Sequence, residues 1–252
     1  MNILVCVKRV PLTGGRIVLT EDERAISTRH LGFTISPHEE CAVEEAVRLI
    51  EAHGGASTVL TLGPAEAEEQ LRDMMAIGAD RAVHLVTDGP EWDPQATAAA
   101  IVSAIRVQPE PFDLLLFGNE SADAGNYQVA VRVAYALGLP CVTGIKAIAV
   151  DGATLRCEQE VSGGRDVYEL ALPAVVTVKE GLNLPRYPSV PGRLRAKRKP
   201  LDALTPEASA PRMPMVRLRL PETAGKQVQV LGRGADAAPA VLDILRELGV
   251  VA

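Results

Sequence analysis

The sequence predicts an α/β fold: a mostly parallel, doubly wound sheet that carries an antiparallel hairpin and ends in an extended C-terminal arm. Three features predict it. Short apolar runs alternate with amphipathic segments up to about residue 138, period-two alternation takes over between residues 155 and 172, and prolines crowd residues 181–215. With 252 residues, 47% of them apolar and 23% charged, the chain has the composition of a folded globular protein, not of a disordered or fibrous one.

Taken in order, the runs Ile3–Val7, Ser57–Leu62, Ala82–Val86 and Asp113–Phe117 are short and continuous, as strands buried on both faces must be. Each precedes a helical pattern. Over His38–His53 the apolar residues Val43, Ala46, Val47 and Ile50 form one stripe at i, i+3, i+4, i+7. Ser36-Pro37-His38-Glu39 marks that helix start, with a capping serine, a proline at the first helical position and a glutamate able to bond back. A second stripe follows Pro64 with Leu71, Met74 and Met75, Asp93-Pro94 opens a third helix, and Tyr127–Leu137 is a fourth.

Beyond residue 140 the pattern changes. Leu155–Val161 and Val167–Leu172 alternate apolar with polar residues around Ser162-Gly163-Gly164-Arg165, which reads as an antiparallel hairpin, and Ala174–Val178 is a buried strand. Seven prolines in residues 181–215 exclude helix or central strand over most of that stretch and leave a long loop. A short strand at Gln227–Leu231 and a helix from about Ala237 to Leu248 complete the chain. The divisions are an α/β domain over residues 1–180, a proline-rich loop and linker over 181–215, and a C-terminal arm over 216–252.

Composition narrows the function. Lys and Arg number 26 against 32 Asp and Glu, a net charge of −6, and aromatics are 3%, so neither phosphate attraction nor base stacking favours nucleic acid. Cys6, Cys41, Cys141 and Cys157 stand far apart with no CxxC pair, which reads as reduced thiols and no metal site. The N-terminus reads at once as a strand without a signal peptide, and no apolar run approaches the ~18 residues of a membrane span, so the expected location is the cytoplasm.

Four motifs bear on chemistry. Gly232-Arg233-Gly234-Ala235-Asp236-Ala237 matches a relaxed dinucleotide fingerprint, but too few residues follow to supply the strand with the acidic ribose contact. Ser162-Gly163-Gly164-Arg165-Asp166 resembles a pyrophosphate-cradling loop, yet its alternating flanks make it a turn. The basic run Arg193–Lys199 follows a rigid, apolar-tipped loop, Arg186-Tyr187-Pro188-Ser189-Val190-Pro191, a combination suited to docking on an acidic partner surface. Finally, Gly118-Asn119-Glu120-Ser121-Ala122-Asp123-Ala124-Gly125-Asn126-Tyr127-Gln128 joins an apolar strand to a helix. At the carboxyl end of an open sheet, the helix N-terminus offers free N–H groups and a positive dipole end to a phosphate.

Several segments together resemble the β subunit of electron transfer flavoprotein. They are Val7-Lys8-Arg9-Val10; Ser36-Pro37 through Ala42–Arg48; Gly63-Pro64 with Leu71-Arg72 and Ala76–Arg81; Leu172–Thr177; Leu184-Pro185-Arg186-Tyr187; Ala196–Lys199; and Thr223-Ala224-Gly225-Lys226. The resemblance implies an adenine nucleotide α-hydrolase-like sheet, and a heterodimer whose α subunit holds most of the FAD and is gripped by the C-terminal arm. It implies an electron carrier, not an enzyme, that serves acyl-CoA or related dehydrogenases of fatty acid oxidation and delivers to a quinone oxidoreductase. Carried over by position, AMP contacts fall on Cys6, Ser36, Pro37, His38, Glu39, Leu62, and Gly118 through Asn126, Tyr127, Gln128 and Val129. Partner docking falls on Tyr187, Pro188, Ser189, Val190 and Pro191, with Glu160 helping to set the pose of that loop.

The chain departs from the family pattern in places. Ser36 replaces the usual Asn, Val190 replaces a longer Leu, and Asp123-Ala124-Gly125-Asn126-Tyr127 replaces an Asp-rich stretch. Gln128-Val129 is similar to the pair found in electron-bifurcating members that bind a second FAD in the AMP position. Three readings therefore stand: an AMP-bearing shuttle subunit, a bifurcating subunit with a second FAD, and a free-standing adenine-nucleotide-binding regulator.

Overall fold

The computed structural model describes residues 1–12, 14, 17–213, 215–221 and 229–251. They fall into two units, Met1–Val216 and Arg217–Ala252. The first is built on β1 (Asn2–Cys6), β2 (Val10–Pro11), β3 (Phe33–Thr34), α1 (Pro37–His53), β4 (Ala56–Gly63), α2 (Glu68–Ile77), β5 (Arg81–Val86), α3 (Pro94–Arg106) and β6 (Leu114–Gly118). It continues through α4 (Val129–Leu137), β7 (Cys141–Asp151), β8 (Thr154–Val161), β9 (Gly164–Ala171), β10 (Ala174–Val178), α5 (Val190–Ala196) and β11 (Leu201–Leu204). The second unit contains α6 (Ala238–Glu247), none of whose residues is buried.

Nine strands form one sheet in the order β11-β5-β4-β1-β6-β10-β7-β8-β9. Pairing is parallel from β11 to β7 and antiparallel from β7 to β9, with β2 and β3 as a separate antiparallel pair. The parallel centre explains the continuous apolar runs, because helices cover both faces. Val5 and Val7 share a core with Val43 and Ala46 of α1 and Leu71 and Met75 of α2. Leu4 and Cys6 point the other way, against Ile101 of α3 and Val133 and Ala134 of α4. The chain builds outward from β1 through β4 to β5, then crosses back in α3 to place β6 on the other side of β1. That reversal opens a crevice at the carboxyl ends of β1 and β6.

Four expectations are corrected. The 11-residue strand β7 is absent from the sequence reading because it serves two partners: its start pairs parallel with β10 and its remainder antiparallel with β8, with a register shift on each side. It therefore has no single period. The proline-rich stretch is not loop throughout. Pro191 sits in the first turn of α5 behind the capping Ser189, and Pro200 precedes β11, which joins the outer edge of β5, both positions where a missing N–H costs little. Helix α4 starts at Val129 and not at Tyr127, whose φ of 56° is left-handed. Gln229–Leu231 are not strand, while Gln227 and Val228, like Thr223–Lys226, lie outside the described residues.

The start of α1 forms as its residues dictate. The Ser36 N–H donates to Glu39 Oε2 at 3.2 Å, and Glu39 is 6% exposed. Burial pushes the Glu39 carboxyl up to about 7, against the opposing pull of hydrogen bonds from the Lys8 and Ser36 backbone. A carboxyl whose folded pKa lies above its unfolded value of 4.5 makes the fold most stable below pH 4.5 and progressively less so up to about pH 7. Replacing it by an amide of the same shape, E39Q, should therefore leave a stability advantage over the parent that grows from pH 4.5 to 7, reaches about 3 kcal/mol, and is flat above. Thermal denaturation of both proteins across that range checks this.

Candidate functional site

The crevice at the switch point is a cleft with about 870 Å³ of empty space, part of it open to solvent, within the size range of small-molecule sites. One side is apolar and slot-like, walled by Leu60 and Leu62 of β4, Phe117 of β6, Ile101 of α3, Trp92 before α3, and Val129 of α4. The other is polar: Glu39 from α1, Lys8 after β1, Asn119, Glu120, Ser121, Asn126 and Gln128 from the loop between β6 and α4, and Thr177 of β10. The Thr177 hydroxyl donates to Asn119 Oδ1 at 2.8 Å and accepts from the Gly144 N–H at 2.9 Å, which fixes the loop's start. Gly118 permits a close approach, because a Cβ there would lie 2.7 Å from Glu39 Cγ.

The end of that loop presents an open helix terminus. Gln128 occupies the N-cap position of α4, but its side-chain oxygen accepts from Arg132 Nε at 3.2 Å and Nη2 at 2.9 Å, and among the described residues no side chain caps the first turn. The first-turn N–H groups of α4 are thus left for an incoming acceptor. Left-handed φ angles of 54° at Gly125 and 56° at Tyr127 turn the chain into this entry. An apolar slot beside an uncapped helix terminus suits a ligand that carries a planar ring and an anionic group.

Charge around the cleft is mostly negative. Lys8 is the only Lys or Arg lining it among the described residues, and its Nζ lies 2.6 Å from Glu91 and 2.8 Å from Asp123. Burial alone would lower the Lys8 pKa, but Glu91 and Asp123 outweigh it and hold the ammonium above its usual range. Lys8 thereby ties the loop before α3 to the loop before α4 across the cleft mouth. An anion here would be met by backbone dipoles more than by side-chain cations. Burial, reinforced by Glu39, pushes the Cys6 thiol far up, so it remains a neutral apolar surface and no nucleophile.

Of the residues the sequence singled out, Cys6, Glu39, Leu62, Gly118, Asn119, Glu120, Ser121, Asn126, Tyr127, Gln128 and Val129 line the cleft. Ser36, Pro37, His38, Ala122, Asp123, Ala124 and Gly125 do not. Ser36 Oγ reaches the Glu120 carbonyl at 3.5 Å, His38 Nε2 lies 3.6 Å from the Glu120 carboxylate, and Asp123 acts through Lys8. Further lining residues, Lys8, Glu91, Trp92, Ile101 and Thr177 among them, are not singled out by the sequence as site residues. The one available signal was Trp92, the chain's sole tryptophan, just before the Asp93-Pro94 helix start. Away from the cleft, Tyr187 and Val190 are 96% and 73% exposed, and Glu160 pairs with Lys146 at 2.9 Å. No cluster of three or more His, Cys, Asp or Glu able to hold a metal occurs among the described residues, the four cysteines are unpaired, and no helix there is long and apolar enough to cross a membrane.

The electron transfer flavoprotein domain family matches residues 25–209 of this chain. Electron transfer flavoprotein subunit beta of Bacillus subtilis is 36% identical over 255 aligned residues, covering 98% of each chain. The subunit beta of Syntrophomonas wolfei is 34% identical over 91% of this chain and 90% of its own. The mitochondrial subunit beta of Oryza sativa subsp. indica is 36% identical over 82% and 83%. These matches place the chain in the electron transfer flavoprotein family, among its β subunits.

Proposed function

We propose that this chain is one half of a heterodimeric electron carrier: it pairs with an electron transfer flavoprotein α subunit, accepts electrons from acyl-CoA-type dehydrogenases and passes them to a quinone oxidoreductase. It holds AMP in its own cleft. The observation that carries this reading is the cleft itself, an apolar slot leading to an uncapped helix terminus in a chain whose relatives are flavoprotein subunits. Leu62, Trp92, Ile101 and Phe117 would hold the adenine ring, and the first-turn N–H groups of α4 with Ser121 and Asn126 would meet the phosphate. FAD, mainly on the α subunit, supplies the redox chemistry when bound. This chain's own groups do no substrate chemistry: they bind, orient and exclude water.

The docking role falls to Tyr187–Pro191, with the basic residues Arg193, Arg195, Lys197 and Arg198 beside it. An apolar tip next to positive charge fits a partner pocket rimmed by carboxylates. The second arm-like part, Arg217–Ala252, is proposed to grip the α subunit, as befits an amphipathic α6 with no buried residue of its own. A second reading, FAD in place of AMP and electron bifurcation, is favoured by the Gln128-Val129 pair at the start of α4.

Co-expression with an electron transfer flavoprotein α subunit should give a one-to-one complex with bound FAD that an acyl-CoA dehydrogenase reduces. A chain that purifies alone, or whose deletion leaves re-oxidation of the dehydrogenase unchanged, contradicts the proposal. Because Trp92 lines the cleft, adding AMP to the nucleotide-stripped complex should change its tryptophan emission, and W92F should abolish the change. An identical response in parent and W92F would show that AMP does not enter this cleft.

A further inference from the structure

We infer that Arg186 is a positioning residue that sets the pose of the exposed segment Tyr187–Pro191 by clamping its stem to α1, an inference that rests on the docking role proposed above. The stem leaves β10 and runs back along α1. There the Arg186 guanidinium spans two carboxylates, Glu44 and Glu51, about two turns apart on one face of α1. Nε donates to Glu44 Oε2 at 2.9 Å and Nη2 to Glu44 Oε1 at 3.0 Å, while Nη1 and Nη2 reach Glu51 Oε1 and Oε2 at 2.7 and 3.0 Å. The Arg186 backbone N–H adds a further bond to Glu44 Oε2 at 3.1 Å. Three residues before Arg186, Asn183 Nδ2 donates to Glu45 at 2.9 Å and to the Cys41 carbonyl at 3.0 Å.

Burial makes this clamp directional. The Glu44 side chain is 2% exposed, so its charge is satisfied by the protein: Arg186 on one side and Arg48 on the other. Despite burial, these hydrogen bonds hold the Glu44 carboxyl below its usual range. Only a planar fork can meet two carboxylates bidentately, which is why an arginine and not a lysine suits this position.

The far end of the exposed segment is held as firmly. Ser189 Oγ accepts from the Gly192 N–H at 3.1 Å to cap α5, and Gly192 presses so close to α2 that a Cβ would lie 2.6 Å from the Ala76 carbonyl oxygen. Lys199 Nζ then donates to the carbonyls of Met75, Gly78 and Ala79 at 3.1, 3.2 and 2.7 Å, capping the C-terminus of α2. Between the two anchors lie five residues with Tyr187 96% and Val190 73% exposed. A segment fixed at both ends loses little conformational freedom on docking, so an apolar tip can be offered to a partner in one orientation.

The test uses the co-expressed heterodimer and an acyl-CoA dehydrogenase reduced by its acyl-CoA substrate, and reads KM for the heterodimer against kcat. R186K keeps the charge but loses the fork, and should raise KM about tenfold with kcat changed less than about twofold. E51Q, at a site 57% exposed, loosens the clamp without touching buried Glu44 and should raise KM in the same direction by about threefold at unchanged thermal midpoint and FAD content. V190A tests the docking tip directly. If V190A raises KM while R186K and E51Q leave it within twofold of the parent, the clamp proposal is overturned and docking stands. A silent V190A removes the docking reading and the clamp with it. Should R186K fail to fold, E51Q decides.

Discussion

The burial of α1 against β1 and β6 is the interaction on which the other features depend. Its apolar stripe, with Val43 and Ala46 at 0% and 1% exposure, shares one core with Val5 and Leu116. Three separate parts of the molecule are then hung on this one helix. Its first turn puts Glu39 on the cleft wall, its middle puts Glu44 and Glu45 under the returning stem of the exposed segment Tyr187–Pro191, and its last turns supply Glu51. Because a helix packed in a core moves as a unit, the cleft and the loop share a rigid frame although they lie on different chain segments. His38 adds a direct link, accepting from the Glu180 N–H at 2.8 Å while facing Glu120 at the cleft.

The cleft's electrostatics explain why this chain needs its loop geometry. With Lys8 committed to Glu91 and Asp123, the uncapped N-terminus of α4 offers positive potential at the cleft. Such potential decays within the first turn, so in the proposed function the nucleotide's anionic group must come directly to it. The left-handed Gly125 and Tyr127 do that turning, and Thr177 and Asn119 hold the other end of the loop still.

Much of this was legible in the sequence, and the rest was hidden for physical reasons. Strands buried on both faces announce themselves as apolar runs, so β1, β4, β5, β6 and β10 were found within a residue or two of their limits. A helix with a serine cap and Pro37 at its start, such as α1, announces itself equally well. Strand β7 escaped because two partners with opposite pairing impose no common period on it. Helix α5 and β11 escaped because proline density hides which prolines occupy first-turn and edge positions, a distinction made only by the neighbours. Loop residues 118–129 could be placed at a strand end from local pattern alone, whereas Trp92 and Ile101 reach the cleft only through the crossover in α3. The clamp at Arg186 was likewise invisible, since its partners lie 142 and 135 residues away.

The most direct measurement denatures the purified heterodimer and quantifies the released nucleotides by mass spectrometry. One FAD and one AMP per heterodimer is the result this account predicts, with AMP in the cleft at the carboxyl ends of β1, β4 and β6. Two FAD and no AMP would give the cleft to a second flavin. One FAD with no other adenine nucleotide would contradict the claim that this cleft is a nucleotide site.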